Sequence, residues 1–111
     1  MTDSAPLRTV VTPAGTRTTV SVTGEIDIAT APELRKALDT ALSDGATCVE
    51  VDFSEVEFCD CSGLSVLVLA RRRARQQGST LRVVEVRSPL VQRLFRTTGT
   101  ITTLTGTDVG S

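Results

Sequence analysis

Apolar and polar residues alternate from Thr16 to Thr23, with Val20 and Val22 on one side of the pattern and Thr19, Ser21 and Thr23 on the other. A period of two with a single apolar side predicts a strand with one wet face. A β-branched run from Leu7 to Val11 precedes it across Pro13, Ala14 and Gly15, so the two segments predict a hairpin. Gly24 to Ile28 reads as a connector. Beyond Thr30 the spacing of apolar positions lengthens to three and four: Leu34, Leu38, Ala41 and Leu42, with Ala37 between, form the stripe of a helix that ends before Asp44 and Gly45. Thr30 and Glu33 fit a capping box at its start, with Pro32 tolerated in the first turn.

The alternation returns from Thr47 to Phe53, where Val49, Val51 and Phe53 oppose Cys48, Glu50 and Asp52. Ser62 to Gln77 predicts a second helix, apolar from Leu64 to Ala70, basic from Arg71 to Arg75, and stopped by Gly78. Leu81 to Val86 predicts another strand. Ser88 and Pro89 then open a third helix with Leu90, Val91, Leu94 and Phe95 as its stripe and Gly99 as its stop. Ile101 to Leu104 predicts a short closing strand. Helices that separate strands must carry the chain back across a sheet. The expectation is therefore an α/β fold with a mixed, mostly parallel sheet of about five strands and three main helices on one face. One domain over 1–111 is expected, with its core over 7–104 and loosely held termini at 1–6 and 105–111.

The chain has 111 residues, 40% of them hydrophobic, enough for one core without metal or disulfide support. Its 12 basic and 13 acidic residues nearly balance, so no net field points to nucleic acid or an anionic membrane. No run approaches the roughly 20 apolar residues of a membrane span, and the N-terminus lacks the segments of a signal peptide, so a cytoplasmic protein is expected. Cys48, Cys59 and Cys61 lack CxxC spacing and there is no histidine, which argues against structural zinc and against His-based nucleophilic catalysis. No cofactor motif stands out, and no enzyme is expected. Arg71, Arg72, Arg73 and Arg75 lie in the last turns of a helix, where cations complement the dipole. No aromatic residue is interleaved with them to stack bases.

Two segments carry a resemblance. VTGEIDIATAPELRKAL, from Val22 to Leu38, and VDFSEVEFCDCSGLSVLVLARRRA, from Val51 to Ala74, resemble the signature blocks of STAS-domain anti-sigma factor antagonists. SPLVQRLFRTTG, from Ser88 to Gly99, is similar to that family's closing helix. The resemblance implies a STAS fold and a binding role. It places a contact surface for an anti-sigma factor on Gly24, Glu25 and Asp27 and on Asp60, Cys61, Ser62, Gly63 and Leu64. The implied partner is a serine kinase of the GHKL ATPase type, which phosphorylates the hydroxyl residue directly after the aspartate. Here Cys61 stands at that position and Ser62 beside it.

The residues also have plainer readings. Gly24, Glu25 and Asp27 suit a turn with two solvated acids, Asp60 suits an Asx-type cap, and Ser62 suits the first turn of a helix. Cys61 at a helix start admits a lowered thiol pKa, opposed by the adjacent Asp60, so a thiol-based redox switch is an alternative. A Cys59–Cys61 disulfide is disfavoured, because two residues of extended chain span roughly 6.6 Å. A scaffold subunit of a transporter ATPase or stress-signalling complex is the other alternative. Monomer and weak dimer both remain open. The Leu64 to Ala70 stretch is apolar around most of the helix, more than one sheet-facing stripe needs, so either a partner or a neighbouring helix covers part of it.

Overall fold

The computed structural model describes residues 7–99 and Leu104. Four strands and three helices are seen among them: β1 (Arg8–Ala14), β2 (Arg17–Ile26), α1 (Ala31–Ser43), β3 (Cys48–Cys59), α2 (Cys61–Gln76), β4 (Thr80–Val84) and α3 (Pro89–Thr97). The sheet order is β1-β2-β3-β4. The opening hairpin is antiparallel, while β2 with β3 and β3 with β4 are parallel. The expected α/β class and hairpin opening hold. The strand count is four among the described residues rather than five: Ile101 to Thr103 of the expected closing strand lie outside them, and Leu104 is helical and fully buried.

Several boundaries differ from the sequence expectation for local physical reasons. Strand β1 runs on through Pro13 and Ala14, which pair with Thr18 and Arg17. On an edge strand the missing proline N–H costs no ladder bond. The turn is therefore only Gly15 and Thr16, with Gly15 at φ 66°. Strand β2 absorbs Gly24, Glu25 and Ile26, which were expected in a connector. Strand β3 continues past Phe53 to Cys59. Strand β4 stops at Val84, because Glu85 turns to a left-handed φ of 58°.

One face of the sheet carries the core. Val20, Val51 and Val83 pair across three strands and are fully buried. Over them lie Leu34 and Leu38 of α1, Leu67 of α2, and Val91 and Phe95 of α3 in a single cluster. The Phe53 and Phe95 rings meet at 6.2 Å between centroids, joining α3 to β3. Leu90, expected in the α3 stripe, is 59% exposed, because that short helix turns Val91 and Phe95, and part of Leu94, toward the core. The opposite sheet face stays wet. There the Glu50 carboxylate meets Arg82 at 2.7 Å and Arg17 at 3.8 Å, pairs that contribute little to stability in water.

The third helix starts as its sequence implies, with the Ser88 hydroxyl accepting from the Val91 N–H and donating to the Glu57 carbonyl at 2.9 Å. The first does not. The Thr30 side chain makes no cap bond, so the expected capping box with Glu33 is absent. Its hydroxyl is drawn back to the strand end, donating to the Glu25 carbonyl and accepting from the Asp27 N–H, both at 2.9 Å.

Candidate functional site

Parallel pairing brings the two motif segments to one end of the sheet. Ile26 at the end of β2 pairs with Cys59 at the end of β3, and the Asp60 N–H extends the ladder to the Ile26 carbonyl at 3.1 Å. The Gly24–Asp27 segment and the Asp60–Leu64 helix start therefore leave the sheet side by side. The pairing is irregular there. Its register shifts between Gly24 and Glu25, and Gly24 takes a φ of 120° that side chains rarely adopt. That shift sets Glu25 opposite Phe58 and leaves Glu25 exposed.

Asp27 organises the turn that follows. Its Oδ1 accepts from the N–H groups of Ala29 and Thr30 at 2.9 and 3.0 Å, and its carbonyl accepts from the Ala31 N–H at 2.8 Å. These carboxylate bonds order the turn before α1, whose own Glu33 N–H goes to the Thr30 carbonyl at 2.9 Å. Asp60 caps α2 directly: in an extended conformation, it accepts the Ser62 N–H on Oδ1 at 2.9 Å. Both aspartates are half-buried and engaged with backbone, whereas the Glu25 side chain forms no hydrogen bond or ion pair among the described residues.

Cys61 is the first residue of α2 and is exposed, with Ser62 half-buried behind it. Gly63 and Leu64 are buried. A Cβ on Gly63 would lie 2.5 Å from Ile26 Cγ2 and 2.7 Å from Cys59 Sγ, so the helix sits directly on the ends of β2 and β3. These two residues place the surface rather than form it. Two apolar side chains join the exposed set without having been expected: Ile28, 80% exposed in the turn after Asp27, and Phe58, 37% exposed beside Glu25. Ile28 sits in a stretch whose sequence reads as a connector, and Phe58 follows the point where the alternating pattern stops. Neither had a periodic signal.

All three cysteines are free thiols, with Cys59 buried and Cys61 exposed. Burial, then the charges of Asp60 and Cys61, push the Cys59 thiol from an ordinary 9.0 up to about 12. The neutral thiol is favoured by folding, so its contribution is complete below pH about 9 and is lost as pH rises toward about 12. Urea denaturation between pH 8 and 11 is expected to show stability falling above pH about 9, with a shallower fall in Cys59→Ala. An equal slope in both proteins would assign the fall to other groups. Among the described residues no group of three or more acidic or cysteine side chains could hold a metal, and no helix is long and apolar enough to cross a membrane.

The family model described as Mlab, STAS domain, matches residues 10–105. The chain belongs to the STAS domain family. An anti-sigma-B factor antagonist of Listeria monocytogenes is 38% identical over 80 residues, covering 72% of this chain and 69% of that protein. An anti-sigma factor antagonist from Mycobacterium paratuberculosis superposes with a TM-score of 0.78 at 31% identity, covering 91% of this STAS domain and 86% of that chain. The antagonist SpoIIAA in its unphosphorylated form shares the fold, with a TM-score of 0.69 at 23% identity over 85% of this chain and 83% of that one.

Proposed function

We propose that this STAS domain is an anti-sigma factor antagonist: it sequesters an anti-sigma factor of the GHKL ATPase kinase type and so frees a sigma factor. The observation that carries this reading is the joining of the Gly24–Asp27 segment and the α2 start at one sheet end, with Glu25, Ile28, Phe58 and Cys61 outward. Exposed apolar groups beside an uncommitted carboxylate suit a protein partner better than a small substrate. The names of its relatives in Listeria monocytogenes and Mycobacterium paratuberculosis support the same role. No catalytic residue is assigned.

The thiol of Cys61 stands where the resemblance expects a phosphoacceptor hydroxyl. The domain would then hold its partner without the release that serine phosphorylation provides. Mixing the protein with purified anti-sigma ATPase domains of its source organism, with and without ATP, tests both statements. A complex that persists in ATP, with no phosphate on residues 60–65, is expected. Phosphate mapped to Ser62 with release would remove the locked state, and no complex with any of them would remove the antagonist role. Cys61 also suits a second reading, a scaffold subunit of a transporter ATPase or stress-signalling assembly, which needs no release step. Stable co-purification with such an ATPase is its signature.

A further inference from the structure

Helices α1 and α2 pack together over the sheet and leave a cleft of about 350 Å³ between their outer faces. Its floor is apolar, formed by Leu38, Val66, Leu69 and Ala70. Leu69 is 54% exposed, and Val66 beside it is half-buried. The apolar excess on α2 that the sequence leaves without an owner is therefore only partly covered by α1, and the remainder faces outward.

The rim is cationic. Arg35 on α1 and Arg72 on α2 border the cleft, and neither has a carboxylate partner among the described residues. Asp39, the acid in the lining, is already paired with Arg73. Arg71 and Arg75, also without ion pairs, line a shallower depression that continues the cleft past Arg72 and Gln76. An apolar floor under unpaired guanidinium groups is complementary to a segment with apolar residues on one side and carboxylates along its edges. It disfavours a second copy of this chain, because symmetric contact would bring like-charged rims together.

The cleft is also continuous with the surface already described. Cys61, Ser65, Leu69 and Arg72 recur at spacings of four, four and three along α2, which puts them on one line of the helix. That line runs from the exposed thiol at the sheet end to the cationic rim.

We infer that the α1–α2 cleft is a second contact region for the anti-sigma factor, taking an acidic amphipathic segment of that protein along Leu69 between Arg35 and Arg72. The inference rests on the proposed antagonist role and extends it: the sheet end would receive the ATPase body and the cleft a side segment. Leu69 is exposed, so Leu69→Asp leaves the core intact and introduces repulsion toward an acidic segment.

The test measures affinity for the purified anti-sigma ATPase domain by calorimetry, using the intact protein, Leu69→Asp, the double variant Arg35→Glu with Arg72→Glu, and Glu25→Ala with Ile28→Ala as a sheet-end control. Circular dichroism and urea midpoints confirm that each variant folds. Both cleft variants are expected to weaken binding about tenfold or more, the arginine pair losing less at high salt. Lysine exchanges at acidic positions of the partner segment should recover affinity for the arginine variant alone. Unchanged affinity for both cleft variants, with loss in the sheet-end control, overturns the cleft and leaves the antagonist role standing. No binding by the unaltered protein overturns both. Self-association of the isolated protein, abolished by Leu69→Asp in sedimentation velocity, would assign the cleft to a second copy and overturn the inference.

Discussion

Cys61→Ser is expected to install a release step in this domain. The change exchanges a thiol for a hydroxyl on an exposed residue at the first position of α2, where it disturbs no buried contact. With an anti-sigma ATPase of the proposed type and ATP, the variant should take phosphate at position 61 and lose about a hundredfold in affinity, about 2.7 kcal/mol. A phosphate brings about −1.5 to −2 charges. Although the helix start favours an anion, Asp60 already accepts the Ser62 N–H there, so a phosphate would have to share that end with a carboxylate. Added charge and repulsion would both act against the proposed contact around the exposed Ile28 and Phe58. Intact mass and calorimetry before and after ATP read the two effects separately. A serine variant that binds the kinase yet never gains phosphate would show that position 61 is not an acceptor site.

Gly63→Ala is expected to lower stability by about 1–2 kcal/mol. Overpacking a tight site costs about 1–3 kcal/mol, and alanine's helix preference offsets at most about 1 kcal/mol. The new methyl would meet Ile26 Cγ2 and Cys59 Sγ below any normal contact distance. Relief requires the first turn of α2 to lift away from the strand ends, since both neighbours are themselves buried in the core. The urea midpoint should fall with an unchanged slope. A variant as stable as the parent would mean that α2 can shift freely, contrary to the close seating observed.

Much of the fold was legible because the sheet has one wet face. Alternation such as Val49, Val51 and Phe53 against Cys48, Glu50 and Asp52 survives only where one side is solvated, and the three helices announced themselves by stripes and stop glycines. Strand ends were less legible. Continuation of β2 through Gly24 to Ile26 and of β3 through Val56 to Cys59 depends on pairing between strands far apart in sequence, with a register shift that erases the alternation. Capping shows the same limit: Thr30 and Glu33 satisfy the local pattern, yet the Thr30 hydroxyl accepts from the Asp27 N–H and donates to the Glu25 carbonyl, groups that the end of β2 and the turn after it present. Within the candidate site, the motif named the residues but not their division of labour. Gly63 and Leu64 look like their neighbours in sequence and are buried, while Ile28 and Phe58, inside the matching segments but not among the expected contact residues, are exposed.

The seating of Gly63 on Ile26 and Cys59 has a mechanical consequence. There is no slack between the first turn of α2 and the end of β2, and the Asp60 N–H to Ile26 carbonyl bond ties their backbones as well. A displacement at Cys61 cannot be absorbed by a hinge beneath it; it is passed to β2, which carries Glu25 and leads into Asp27. The two segments form one stiff plate, and a partner leaning on either meets the resistance of both.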